Sequence, residues 1–124
     1  MSGTDAQQPR LERSGDAASG TVVLELAGEL DLAVAGRLHE LVDEAAVEAP
    51  RLVVIDVTEV AFMDSSVLRE FLRAHRSVSE AGGLLVVAGA QPTVRRLLEL
   101  TGTTELFTLA DTRAAALGSG PSPT

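Results

Sequence analysis

The 124-residue sequence contains no cysteine, no tryptophan, no tyrosine and no lysine, and only three phenylalanines. Each gap removes a class of chemistry. Without cysteine there are no disulfides, thiol nucleophiles or thiolate metal ligands, a composition that fits a reducing compartment. Without lysine there is no Schiff base and no P-loop lysine. With so few rings, a site that stacks bases or sugars on aromatic faces has little to build from. The core must therefore come from Leu, Val, Ala and Ile, and an apolar fraction of 45% is enough to supply one.

Basic residues are also in the minority. The formal net charge is −8, so phosphate backbones and anionic lipid surfaces are repelled. Neither nucleic acid nor a membrane is expected as a partner, whereas a basic protein surface remains open. No apolar run approaches the ~20 residues that span a bilayer, and the polar stretch from Met1 to Gly20 does not resemble a signal peptide. A soluble, cytoplasmic protein is expected. The length allows one domain: residues 1–8 read as a disordered N-terminal tail, 9–117 as the domain and 118–124 as a flexible C-terminal tail.

Between the tails, strand and helix patterns alternate. Val22–Ala27 alternates like a strand, and Gly28-Glu29-Leu30 turns the chain. Asp31 is placed to cap a helix whose stripe is Val34, Ala35, Leu38, Leu41, Val42 and Ala45, ending before Pro50. Leu52–Val57 is a continuous apolar run, as in a strand covered on both faces. After a short loop, Asp64 opens a helix with Val67, Leu68, Phe71, Leu72, His75 and Val78 inward, stopped by Gly82-Gly83. Leu84–Ala88 reads as another strand, and Pro92 starts a helix that ends at Gly102. Glu105–Thr108 is a short strand candidate, Asp111 a cap for a last Ala-rich turn to Leu117, and Leu11–Arg13 a further weak strand. This order implies an α/β fold: a small, mixed, mostly parallel β-sheet with helices packed against it.

Most catalytic arrangements are missing. His39 lies off its helix stripe and reads as a solvated surface residue; His75 reads as a partly buried, hydrogen-bonded one. Neither stands where a Ser-His-Asp triad would need it. No spaced His/carboxylate set supports a metal site, and no glycine-rich phosphate loop is present, so no metal and no cofactor are expected. The exception is Phe62-Met63-Asp64-Ser65-Ser66-Val67-Leu68. Asp64 as N-cap puts Ser65 and Ser66 in the first helical turn, with Met63 and Leu68 as a hydrophobic staple. Capping alone accounts for these residues. A second reading notes two hydroxyls where free N–H groups and the helix dipole favour negative charge. Phosphorylation there would add about −1.5 to −2 charges and could abolish docking without unfolding anything.

Two motifs resemble the STAS domain family, in particular the small bacterial anti-sigma factor antagonists. Gly28-Glu29-Leu30-Asp31 is similar to the family's "GELD", and Phe62–Leu68 to its "F-M-D-S-S-G-L", at the family's spacing and over about residues 10–117. The resemblance implies a non-enzyme that switches partners. Unphosphorylated, it would bind an anti-sigma factor, a serine kinase of GHKL-type fold, and release a sigma factor. The kinase would phosphorylate Ser65 and a PP2C-type phosphatase would reverse it. Asp31, Asp64, Ser65, Ser66 and Val67 would form the partner-binding surface of a chain that is a monomer when free. Val67 stands where the family usually has Gly, adding a branched side chain that could hinder the kinase. Two other readings within the family are a STAS interaction subunit of an ABC-type lipid transport ATPase that is not phosphorylated, and a nucleotide-binding module.

Overall fold

The structure, a computed structural model, describes residues 8–16 and 19–118. Apart from Gln8 and Gly118, both expected tails lie outside these residues. The elements run β1 (Arg10–Asp16), β2 (Thr21–Leu30), α1 (Leu32–Val47), β3 (Leu52–Met63), α2 (Ser65–Glu80), β4 (Leu84–Ala88), α3 (Pro92–Leu100), a 3-10 turn (Thr104–Leu106), β5 (Thr108–Ala110) and α4 (Arg113–Leu117). The strands form one sheet in the order β1-β2-β3-β4-β5. β1 is antiparallel to β2, and every later pairing is parallel. This is the mixed, mostly parallel α/β sheet read from the pattern.

Strand alternation divides the core between two faces. Val22, Leu24 and Leu26 of β2, Val53, Ile55 and Val57 of β3, and Leu85 and Val87 of β4 share one cluster. That cluster takes in Leu38, Leu41, Val42 and Ala45 of α1, Val67, Leu68, Phe71, Ala74 and Val78 of α2, and Val94 and Leu98 of α3. The alternate residues Val23, Leu52, Val54, Val86 and Ala88 form a smaller cluster with Ala116 of α4 on the opposite face. Both faces of β3 and β4 are thus covered, which is why these strands read as unbroken apolar runs.

The departures from the pattern have local causes. β3 does not end at Val57 but continues to Met63, because β2 also runs on to Leu30 and the two stay paired through Leu30↔Met63. Two register shifts, at Glu25/Ala27 and Gly28/Glu29, each leave an extra residue on β3. Such bulges break the period of two, so residues 58–63 read as a loop. Gly28 adopts φ +92 at the second shift, a conformation open to glycine. Glu105–Thr108 is not a strand: its start belongs to the 3-10 turn, and the edge strand β5 begins only at Thr108. The last helix is capped by Thr112, whose hydroxyl accepts from the Ala115 N–H at 3.0 Å, and not by Asp111. The Asp111 carboxylate faces Arg95 instead, at 3.2 Å.

α4 is too short to hold itself by burial, and Arg113 fastens it. Its guanidinium donates to Asp56 Oδ2 (2.8 Å) on β3 and to Glu25 Oε2 (2.6 Å) on β2. Asp56 is only 6% exposed. Burial pushes its carboxyl up, but the Thr58 hydroxyl and N–H and the Arg113 guanidinium together outweigh that, and it is held below the usual carboxylate range. Arg113→Ala strips a buried carboxylate of its cation. Because Arg113 is itself half-exposed, water softens the loss to about 1–2 kcal/mol. Urea unfolding should show a lower midpoint with an unchanged slope.

Candidate functional site

Parallel β2, β3 and β4 lead at their C-terminal ends into α1, α2 and α3, so three helix N-termini gather on one edge of the sheet. The N-termini of α1 and α2 are joined directly. The Asp64 N–H donates to the Leu30 carbonyl at 3.1 Å. The Asp64 carboxylate caps α2, accepting from the Ser66 N–H (3.0 Å) and the Val67 N–H (3.2 Å). The Ser66 hydroxyl donates to the same oxygen. Asp31 caps α1 in parallel, accepting from the Ala33 N–H at 2.9 Å. Met63 and Leu68, the expected staple, are both buried in the main core cluster.

The two serines are not equivalent. Ser65 is exposed, and its hydroxyl makes no hydrogen bond among the described residues. Ser66 is half-buried and tied to Asp64. Of the residues grouped as a docking surface, Asp31, Asp64, Ser65 and Ser66 come together at this edge, with Asp31 and Ser65 the fully exposed pair. Val67 does not join them. Its side chain is 0% exposed and packs into the core, because N3 of α2 faces the sheet. It therefore adds nothing to the surface around Ser65, and the expected obstruction by a branched side chain has no steric basis there. The first turn also differs from the expected open anion site: Asp64 already accepts from the Ser66 and Val67 N–H groups that a phosphate would seek.

Two exposed apolar side chains flank the site. Leu32, 74% exposed, follows the cap Asp31, and Phe62, 46% exposed, lies two residues before Asp64 on the strand end paired with Glu29. Val60 and Met63, neighbours of Phe62 on the same strand, are buried in the core. Leu32 went unnoticed in the sequence. The available signal was a large apolar residue immediately after a cap and outside the stripe that begins at Val34. Around these residues stand the exposed acids Glu29, Asp31 and Glu59.

Neither histidine takes part. His39 is half-exposed but not simply solvated: Nδ1 contacts Glu70 (3.1 Å) and Nε2 contacts Asp43 (3.3 Å). Arg73 joins that cluster, bonding Glu70 on its own helix and tying α2 to α1 through Asp43 and the His39 carbonyl. His75 is partly buried, yet its Nδ1 has no hydrogen-bond partner among the described residues, contrary to expectation; the ring instead forms a T-shaped pair with Phe107, centroids 5.9 Å apart. Among the described residues no group of His, Asp and Glu could hold a metal ion, and no helix is long and apolar enough to cross a membrane.

The STAS domain model matches residues 9–116. The chain belongs to the STAS domain family. The anti-sigma-F factor antagonist RsfB of Mycobacterium tuberculosis is 32% identical over 99 residues, covering 80% of each chain. The anti-sigma-B factor antagonist of Listeria monocytogenes is 30% identical over 94 residues, 76% of this chain and 82% of that one. The crystal structure of an anti-sigma factor antagonist from Mycobacterium paratuberculosis superposes with a TM-score of 0.81 at 24% identity, over 92% of this chain and 95% of that one, a likeness of fold.

The site has a pH signature. The Ser66 hydroxyl above all, opposed by burial and aided by the Val67, Ser66 and Leu32 N–H groups, holds the Asp64 carboxyl below its usual value. A lowered folded pKa stabilises the fold above the unfolded value of about 3.9, and the gain is lost as pH falls through the folded value. Asp64→Ala should cost about 1 kcal/mol at neutral pH. In urea melts the gap to wild type should begin to narrow near pH 4 and close below the folded pKa.

Proposed function

We propose that this STAS protein is an anti-sigma factor antagonist whose docking edge is switched off by phosphorylation of Ser65. The observation that carries the reading is the exposed Ser65 hydroxyl at the start of α2, unbonded among the described residues, on an edge that also carries exposed Leu32 and Phe62. The relatives described above are all named antagonists, which favours this reading over a lipid-transport subunit.

The partner is an anti-sigma factor that is also a serine kinase of GHKL-type fold, and its capture frees a sigma factor. In the unphosphorylated state the edge offers apolar area from Leu32 and Phe62, ringed by Asp31, Glu29 and Glu59 for a basic partner surface. Kinase action transfers the γ-phosphoryl of ATP to Ser65. The Oγ–P bond forms as the bond to the β,γ-bridging oxygen breaks, ADP leaves, and the hydroxyl proton passes to the kinase's base. The new charge sits on the docking edge beside the Asp64 carboxylate, which already holds the Ser66 and Val67 N–H groups of the first turn. Binding is lost while the core beneath is untouched. A PP2C-type phosphatase restores the hydroxyl. The chain itself is not an enzyme, needs no cofactor, and works in the cytoplasm as a monomer when free.

Incubation with ATP and a GHKL-type kinase should add a single phosphate by intact mass, and Ser65→Ala should add none. In calorimetric titration against the same anti-sigma factor, Leu32→Ala and Phe62→Ala should each weaken binding by about 1–2 kcal/mol, roughly 5–30-fold in Kd. Persistent co-purification with a transport ATPase, with Ser65 unmodified, would refute the assignment.

A further inference from the structure

The pair Ser65-Ser66 looks like two interchangeable acceptors in the sequence, and the structure makes it one acceptor and one lock. We propose that Ser66 is the specificity-determining residue of the site: by giving its hydroxyl proton to Asp64 it is withdrawn from modification and leaves Ser65 alone able to take a charged group. The inference rests on the reading of Ser65 as the phosphoacceptor and deepens it.

Three observations carry it. Asp64 Oδ1 receives the Ser66 hydroxyl together with the Ser66 and Val67 N–H groups. An ionised carboxylate only accepts hydrogen bonds, so the direction of the proton on Ser66 is set. The Ser65 hydroxyl one position earlier has no such bond and faces solvent. Finally, the Asp64 N–H donates to the Leu30 carbonyl at 3.1 Å, one residue before the Asp31 cap, so the residue whose carboxylate Ser66 holds stands where the starts of α1 and α2 meet. A phosphoryl on Ser66 would exchange a donated proton for a dianion within hydrogen-bond distance of a carboxylate. It would have to expel the Asp64 carboxylate from the start of α2. A phosphoryl on Ser65 displaces nothing.

Ser66 is therefore a positioning residue, and its role can be separated from a merely structural one. Full-length variants with a carboxylate at each position report whether the site tolerates charge. Ser65→Glu should melt within about 2 °C of wild type, and Ser66→Glu about 5–10 °C lower. Carbon-detected NMR titration of Asp64 should give a higher midpoint in Ser66→Ala, an unchanged one in Ser65→Ala, and recovery in Ser66→Thr. With ATP and a GHKL-type kinase, fragmentation of the product should place its one phosphate on residue 65. Phosphate on residue 66, or any phosphate on Ser65→Ala, would overturn the assignment of the lock. So would equal melting of the two Glu variants with no change in the Asp64 titration. If the kinase modifies neither serine, the proposed function fails; the melting and titration results still decide the role of Ser66.

Discussion

One carboxylate organises the working edge of this protein. Asp64 ends the bulged strand β3, and its side chain satisfies the first N–H groups of α2 while its backbone N–H is held by the last carbonyl of β2. Helix starts carry unpaired donors and a positive dipole end. A carboxylate at that position answers both, and the Asp64 N–H ties the same residue to the strand that leads into the neighbouring helix. The relative placement of Asp31, Leu32, Phe62 and Ser65 follows from this junction. Remove it, and the four exposed side chains no longer belong to one surface.

The junction is possible because the sheet beneath it is rigid. Parallel β2, β3 and β4 are packed on one face by three helices, with Phe71 meeting Phe107 edge-on at 6.4 Å. The bulges of β3 let it reach Met63 in step with Leu30 while turning Thr58, Glu59 and Phe62 outward. A regular strand would have put alternate residues on the two faces and buried or exposed a different set. The irregularity places an apolar ring at the edge of an acidic surface.

Charge elsewhere does structural work. Arg113 ties α4 to Glu25 and Asp56 across two strands, and Arg73 ties α2 to α1 through Asp43 and the His39 carbonyl. On a chain with a net charge of −8 these arginines offset acids that would otherwise repel one another inside the fold. The acids left without such partners at the docking edge, Asp31 and Glu29 among them, are then available to another molecule.

The sequence by itself determined the α/β class, the central strands and the caps Asp31 and Asp64, since these rest on short-range physics: apolar period and local hydrogen bonding. It also singled out the serine pair through its place after a cap and its likeness to a family motif. What only the tertiary structure decided was which side chains outside the apolar stripes share the working edge. Leu32 and Phe62 turned outward, Ser66 was bound and Ser65 left free, and α4 was capped by Thr112 and held by Arg113. Those outcomes depend on the phase of each helix against the sheet and on two bulges in β3. Phase and register are set by contacts between segments far apart in the chain, and local spacing carries no record of them.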